Sequence, residues 1–440
     1  MGVWLHAADG LLVSTMMPAI VADIGGIPFI PWTFALYEIG SIVAGAASGL
    51  VATRYGIRQP MSVAAIVFAF GCTLSALAPE MALLLAGRLL QGLGGGGLMA
   101  ISFVAASLMF PTRLIARVMG AISTIWAISA FFGPLIGGLF VEFASWRIAF
   151  WIFAVQAVIL AAWLITRLDM SARPVEKQQS ERFPLFRLTW LTAGVLAIAY
   201  SGINIDGIYT PVFILIGLAC LALFLRLDRN HRTNRLLPEN PFSLTNPIGA
   251  ALLMLLCFAA ATIPIGIYVP FLITKLHGIS ALVAGYIIAI EAITWTVMAV
   301  VLSGSPERHD PKCILIGMLA IAASIPGFAY SVAEGPLWLV AFFAALQGAG
   351  FGTAWTFMLR RATRLAPSGE EQRVSAALPT VQRLGYALGA AYIGIVANGA
   401  GIETASPGGS LEFTARAIFL SCLPLALIGL IAALRFVSPK

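Results

Sequence analysis

Residues 86–99 read AGRLLQGLGGGGLM. Arg88 is the one charge between Met81 and Met109. Gln91 follows it, then four consecutive glycines, Gly94 to Gly97. Each glycine weakens a helix by about 1 kcal/mol. Keeping four in a row asks for close packing against a neighbouring helix, or for a deformable gate. The pattern returns 256 residues later, where 342–355 read FFAALQGAGFGTAW. Leu90, Gln91, Gly92, Gly94 and Gly96 match Leu346, Gln347, Gly348, Gly350 and Gly352. The same offset carries Pro111 to Pro367, Arg117 to Arg373, Val118 to Val374, Ala121 to Ala377 and Thr124 to Thr380. It also carries Gly133 to Gly389 and Gly138 to Gly394. The chain therefore reads as a duplicated unit, as membrane transporters often are.

Composition says what surrounds that unit. Hydrophobic residues make up 60% of the 440, and charged residues 10%. A soluble globular domain carries about 25% charge. The mean hydropathy is +0.94. So apolar a surface has to face lipid, which excludes an ordinary soluble enzyme and a disordered chain. The five cysteines, Cys72, Cys220, Cys257, Cys313 and Cys422, are far apart and show no metal-ligand or disulfide-scaffold spacing. No nucleic-acid motif is present, so the net charge of +7 calls for a topological explanation.

A membrane helix needs roughly 20 apolar residues. Breaks at charges, prolines and polar clusters give fourteen spans: 3–22, 31–52, 60–79, 81–109, 118–142, 148–167, 188–204, 208–226, 247–273, 279–303, 312–332, 336–359, 374–398 and 414–435. One set of alternating loops then holds 21 of the 26 Lys and Arg. The opposite set and its helix ends hold only Arg147, Lys275 and Arg416. That split fits the positive-inside rule with both termini cytoplasmic. Six helices fill residues 3–167, and a repeat offset of 256 leaves room for two more before the second six. The expected organisation is 1–168 for the first half, 169–245 for linkers with two inserted helices, and 246–440 for the second half. The first apolar run carries no small-residue cleavage site, so no signal peptide is expected. The fold class is an all-α integral membrane protein in the cytoplasmic (inner) membrane.

Further pieces stand in order along the first half. Asp9, Val13, Pro18, Ile20 and Asp23 place a proline nine residues after an aspartate. Trp32 and Tyr37 open the second span. Residues 49–58 read GLVATRYGIR, between the second and third spans. Arg88 with Gln91-Gly92-Leu93-Gly94 marks the fourth. Gly133-Pro134-Leu135-Ile136-Gly137-Gly138 marks the fifth, and Ser145-Trp146-Arg147 follows. Together they resemble the major facilitator superfamily, and within it the fourteen-helix drug:proton antiporter branch. Thr53 stands where the family's second-to-third-loop motif carries an aspartate, while Arg54 and Arg58 remain. In the second half, Pro306, Glu307, Arg308 and Asp310 form a degenerate counterpart.

The resemblance and the buried charges together name the candidate site. A charge at mid-bilayer costs at least ~2.5–3.5 kcal/mol, and is kept where it pairs or faces a polar cavity. Asp9, Glu38, Arg88, Glu291 and Arg383 stand at such depth. Burial favours the neutral form of a carboxyl, and a neighbouring arginine favours the charged form. A group balanced this way can load and release a proton. Asp9 is the expected proton carrier, with a fixed ion pair as the alternative. Arg88 is expected to modulate Asp9 or Glu38 or to relay the charge change, with snorkelling or hydrogen bonds to facing carbonyls as the alternative. Its repeat mate is Ala344, so that charge is not shared scaffold. Glu38 and Glu291 stand in the second helix of each six-helix unit. They flank a cationic substrate or serve as a second proton site. Arg383 binds an anion or pairs with Glu291. Gln91, Gln347 and Trp126 complete the expected substrate-binding set, a lipid-facing or core place being the alternative for Trp126. His6 and His277 are expected as bystanders at the membrane edges. Gly49, Arg54, Gly56 and Arg58 are expected at the gate. Gly133, Pro134, Gly137 and Gly138 are expected to form a tight helix interface that prevents leak.

The expected function is secondary active transport by alternating access: efflux of small amphipathic or cationic compounds in exchange for protons. The expected partners are a small-molecule substrate, protons and the bilayer, with the protein acting as a monomer and binding no nucleic acid. No cofactor is expected. A Gly-x-x-x-x-Gly-Lys-Ser/Thr phosphate loop is absent from the sequence, so ATP does not drive transport directly. The alternatives are a proton-coupled transporter of a defined metabolite or lipid and, remotely, a membrane-embedded enzyme. The latter needs a nucleophile with its base, or a metal cluster, at membrane depth. The four histidines, His6, His231, His277 and His309, supply neither.

Overall fold

The computed structural model describes residues 1–167, 183–231 and 235–438, and only the backbone of residues 53, 107, 108, 112, 113, 115 and 116. Among the charges counted above, Arg113, Arg173, Lys177, Arg182, Arg232 and Lys440 lie outside the described residues or side chains, as does the side chain of Thr53.

Among the described residues all regular structure is helical. The first half runs α1 Gly2–Ile24, α2 Ile30–Tyr55, α3 Arg58–Leu77, α4 Met81–Met109, α5 Thr112–Phe143 and α6 Trp146–Arg167. Two helices follow, α7 Leu185–Tyr200 and α8 Tyr209–Asn230. The second half runs α9 Pro247–Thr262, α10 Pro264–His277, α11 Ala281–Leu302, α12 Asp310–Ala333, α13 Leu337–Arg364, α14 Glu371–Gly399, α15 Ser410–Leu420 and α16 Leu423–Val437. Two expected single spans are each divided into two helices. Span 247–273 breaks at Pro264, which has no N–H to bond the preceding turn. Span 414–435 breaks at Ser421-Cys422, just before Pro424.

Among the described residues twelve segments are long and apolar enough to cross a membrane: α1 to α6, α8, the α9–α10 pair, α11, α12, α13 and the α15–α16 pair. The expected fourteen fall to twelve on this measure. α7 is apolar but only 16 residues long, and α14 spans 29 residues but carries Glu371, Arg373 and Arg383. The outward faces are apolar, as lipid requires. On α6, Phe153, Ala157 and Leu160 point inward, while Val155, Val158 and Ile159 are exposed.

Residues Met1–Leu188 with Ser280–Gly285 form one compact unit, and Thr189–Ile279 with Tyr286–Lys440 form the other. The inserted pair thus groups with the second unit. There α7 and α8 cross at Gly194 and Gly217, where each glycine would set a side chain against the other's carbonyl. Gly202, just past α7, lies against Ile395 of α14, and Asn398 Nδ2 donates to the Gly202 carbonyl at 2.6 Å.

Each unit carries its copy of the repeat in the same packing. In the first, α4 passes so close to α2 that a Cβ on Gly92 would lie 2.1 Å from the Tyr37 carbonyl. In the second, a Cβ on Gly348 of α13 would lie 2.0 Å from the Glu291 carbonyl of α11. Gly96 and Gly352 extend the two crossings, against Ser41 and Trp295. Gly94 and Gly350 face the other way, onto α3 and α12. Gly133 of α5 meets the Ala8 carbonyl of α1, and its repeat mate Gly389 of α14 meets Ala260 of α9. α4 runs unbroken through its four glycines, so close packing is what they serve in this conformation.

Candidate functional site

The first unit buries an ion pair. Asp9 on α1 is 0% exposed and Arg88 on α4 is 1% exposed. Arg88 Nη1 donates to Asp9 Oδ2 at 2.6 Å and also to Gln91 Oε1, and Nε donates to the Thr33 carbonyl at 3.1 Å. The guanidinium lies over the Tyr37 ring, 4.5 Å from its centroid. Such a contact is strongest where water is excluded. Gln91 Nε2 in turn donates to Ser75 Oγ at 3.0 Å. Among the described residues Asp9 Oδ1 accepts no hydrogen bond. A carboxylate in such a place has one oxygen held and one open to a proton.

Tyr37 carries the network back to α1. Its hydroxyl lies 2.7 Å from His6 Nδ1 and 3.4 Å from the His6 carbonyl. The imidazole stacks on the Tyr37 ring at 5.6 Å and meets Trp126 of α5 edge-on at 6.0 Å. His6, expected as a bystander, is buried one helical turn before Asp9 and engaged by Tyr37. Trp126 is 39% exposed. His277 does sit at a helix end, its Nε2 3.1 Å from the Val332 carbonyl.

A second cluster lies in the second unit. Gln347 Nε2 of α13 donates to Glu291 Oε1 of α11 at 2.9 Å, and Ser324 of α12 donates to Gln347 Oε1 at 3.1 Å. Glu291 is half-buried. One turn on, Trp295 stacks on Phe351 at 4.8 Å and leans toward Trp355 at 6.2 Å. The two glutamines of the repeat thus do equivalent work, Gln91 bracing Arg88 and Gln347 bracing Glu291. Both are buried, with both ends of the amide already bonded. Glu38 of α2 and Arg383 of α14 are half-buried in their own units.

The expected gate and packing residues occupy defined places. Gly56 ends α2 with φ +74°, a backbone state that favours glycine. Arg58 donates to the Ile165 carbonyl, a cation on the last turn of α6. Gly49 and Arg54 are exposed, and Arg54 lies over the Tyr55 ring. Gly137 sits where a Cβ would be 3.1 Å from the Leu12 carbonyl. Gly138 and Pro134 pack against Leu282 and Gly285, which belong to the same compact unit. At the second-half counterpart Asp310 is fully buried and paired with Arg360, which also bonds the Ser305 carbonyl, and Arg364 pairs with Glu307.

Sequence reasoning missed His6, Tyr37, Ser75 and Ser324. A signal existed for one of them: His6 lies three residues before Asp9, on the same helical face. Among the described residues no three His, Cys, Asp or Glu side chains gather as a metal site would require.

Residues 1–308 match the family model of the Major Facilitator Superfamily. A probable multidrug-efflux transporter of Mycobacterium tuberculosis is 28% identical, the match covering 98% of this chain and 92% of that one. The multidrug efflux pump SdrM of Staphylococcus aureus is 25% identical, over 80% of this chain and 78% of its own. Among solved structures, the peptide transporter POT superimposes with a TM-score of 0.72 at 14% identity, covering 99% of this chain and 93% of that chain. That likeness speaks to the fold. The matched span, the repeated six-helix packing and the membrane composition agree, and the chain belongs to the Major Facilitator Superfamily.

Proposed function

We propose that this protein is a secondary active transporter that exports small amphipathic or cationic compounds in exchange for protons, by alternating access. The observation that carries the reading is the Asp9–Arg88 pair, fully withdrawn from water with one carboxylate oxygen unbonded. A carboxyl held this way changes charge when a conformational change alters its surroundings. The names of the relatives support efflux of drug-like compounds as the direction and the substrate class. One charge moved across 100 mV releases ~2.3 kcal/mol, which sustains roughly a 50-fold gradient.

In this reading Asp9 carries the proton and Arg88 sets its balance. Glu291 meets the cationic part of a substrate, and Trp126 and Trp295 offer aromatic surface. Glu38 in the first unit and Arg383 in the second each add a polar group for a substrate, and Gln91 and Gln347 orient Arg88 and Glu291. Gly49, Arg54, Gly56 and Arg58 belong to the gate, and Gly133, Pro134, Gly137 and Gly138 to a seal against leak. The fourteen-span topology is part of the proposal. α7 and α14 complete the count, both termini are cytoplasmic, and the monomer in the inner membrane is the working unit.

The test uses purified protein in proteoliposomes with an imposed pH gradient. Asparagine keeps the shape of Asp9 but cannot titrate. Asp9→Asn should abolish gradient-driven transport and substrate-induced proton release, yet retain substrate exchange without a gradient. Asp9→Glu should keep measurable coupling. Normal coupled transport by Asp9→Asn overturns the assignment.

A further inference from the structure

Two buried groups in the first unit can take up a proton, and the mechanism above uses only Asp9. We propose that His6 is a second proton-holding residue of the transport cycle, linked to Asp9 through Tyr37 and Arg88. The inference rests on the proton-coupled reading and deepens it.

The geometry is that of a two-position switch. The Tyr37 hydroxyl reaches two acceptors on His6: Nδ1 at 2.7 Å and the backbone carbonyl at 3.4 Å. With a neutral imidazole, Nδ1 accepts the Tyr37 hydrogen and the ring's own hydrogen sits on Nε2. A proton taken from water fills Nδ1, which then donates to Tyr37 Oη. The hydroxyl hydrogen swings to the His6 carbonyl. Nδ1 and the Tyr37 hydroxyl each keep a partner in either state, so the pair accommodates both.

The Tyr37 ring ties this switch to the carrier, because the Arg88 guanidinium lies on it at 4.5 Å. With Asp9 ionised, the Asp9–Arg88 pair is neutral and tolerates a charged imidazole nearby. With Asp9 protonated, Arg88 is an uncompensated cation and a second one is repelled. The two groups therefore titrate as a coupled pair, and protons occupy them in alternation. The titratable and charged groups on the surrounding elements are Asp9 on α1, Tyr37 and Glu38 on α2, Cys72 on α3 and Arg88 on α4. The stretch of α5 around Trp126 has none, and α6 is charged only at its ends, Arg147 and Arg167.

The glycine run makes room for the switch. A Cβ on Gly95 would lie 2.8 Å from Tyr37 Oη and 3.2 Å from His6 Nδ1. Gly95 is the member of the run whose space the hydrogen bond occupies. On the α5 side, the edge of half-exposed Trp126 covers the imidazole.

The experiment measures initial rates of gradient-driven transport at pH 6 and pH 8 in proteoliposomes. His6→Asn keeps an acceptor near the Nδ1 position but cannot titrate. We expect the pH 6 to pH 8 rate ratio to change by about threefold or more relative to wild type, because an imidazole ordinarily titrates in this interval. Tyr37→Phe should change it in the same direction. Gradient-free substrate exchange should persist in both. A uniform loss at every pH, with the ratio kept, marks His6 as structural and overturns the inference. If His6→Asn does not fold, 15N-histidine NMR decides, in a background carrying His231→Gln, His277→Gln and His309→Gln. The remaining signal must titrate, and its midpoint must move when Asp9→Asn is added. No titration, or an unmoved midpoint, overturns it. Coupled transport surviving in Asp9→Asn itself defeats the underlying reading, a different outcome from any His6 result.

Discussion

Replacing the members of the Asp9–Arg88 pair singly and together should give an asymmetric, non-additive set of stabilities. Charges 2.6 Å apart attract by roughly 6 kcal/mol at an effective dielectric constant near 20. Desolvation opposes much of that, and removing one partner of a buried pair typically costs ~3–5 kcal/mol. Asp9→Asn strands a cation that cannot release its proton. Asparagine still offers an oxygen to Nη1, and the Thr33 carbonyl, Gln91 Oε1 and the Tyr37 ring still hold the guanidinium. The cost should therefore sit near the lower end, about 3 kcal/mol. Arg88→Gln strands an acid instead, and an acid neutralises itself by taking a proton. Its cost should be smaller, about 1–2 kcal/mol, close to the net worth of the lost hydrogen bonds. The double variant Asp9→Asn with Arg88→Gln should recover about 2 kcal/mol relative to the summed singles. The assay is thermal unfolding in detergent, followed with a thiol-reactive dye. Cys72, Cys257 and Cys422 are buried and react only on unfolding. Additive singles, with a coupling below about 0.5 kcal/mol, refute the picture of one dehydrated ion pair. So does an Arg88→Gln variant less stable than Asp9→Asn.

Three further outcomes are expected. Glu291→Gln keeps an oxygen for the Gln347 amide but removes the charge, so transport of cationic substrates should fall while neutral ones are spared. Equal loss for both moves Glu291 out of substrate recognition. Gly92→Ala and Gly348→Ala should each lose about 2–3 kcal/mol of stability, because their methyls meet backbone carbonyls. Gly45→Ala, with open space around it, should be neutral or gain up to about 1 kcal/mol, and equal melting of all three variants removes the repeat-packing argument. Cysteines introduced one at a time between residues 236 and 245, in a background with the native cysteines replaced, should react with membrane-impermeant reagent only after permeabilisation. Reaction from outside contradicts the fourteen-span topology.

Sequence alone determined the material and the plan. Sixty per cent hydrophobic residues require a lipid environment whatever the fold. Span boundaries were legible within a few residues, because membrane helices are long, uniform and bounded by charge. The repeat was legible too, since close helix crossings demand glycine and leave a periodic mark. The sequence also singled out Asp9, Arg88 and Glu291 as charges inside apolar spans, where charge is costly enough to stand out.

Tertiary structure decided what those charges touch. Hydropathy runs straight through the helix breaks at Pro264 and at Ser421-Cys422 before Pro424, although their cause is local. Asp9 and Arg88 are 79 residues apart, and no periodicity announces which of the buried charges will meet. Gln91 and Gln347 looked like substrate ligands, yet packing turned both amides inward as braces. His6 looked peripheral because it stands near residue 1, but α2 and α4 cover it. Hydrogen-bonded networks join side chains from several helices with directional, short-range contacts, so their members share no spacing in sequence. Apolar burial follows local composition, whereas polar pairing waits until the helices have found one another.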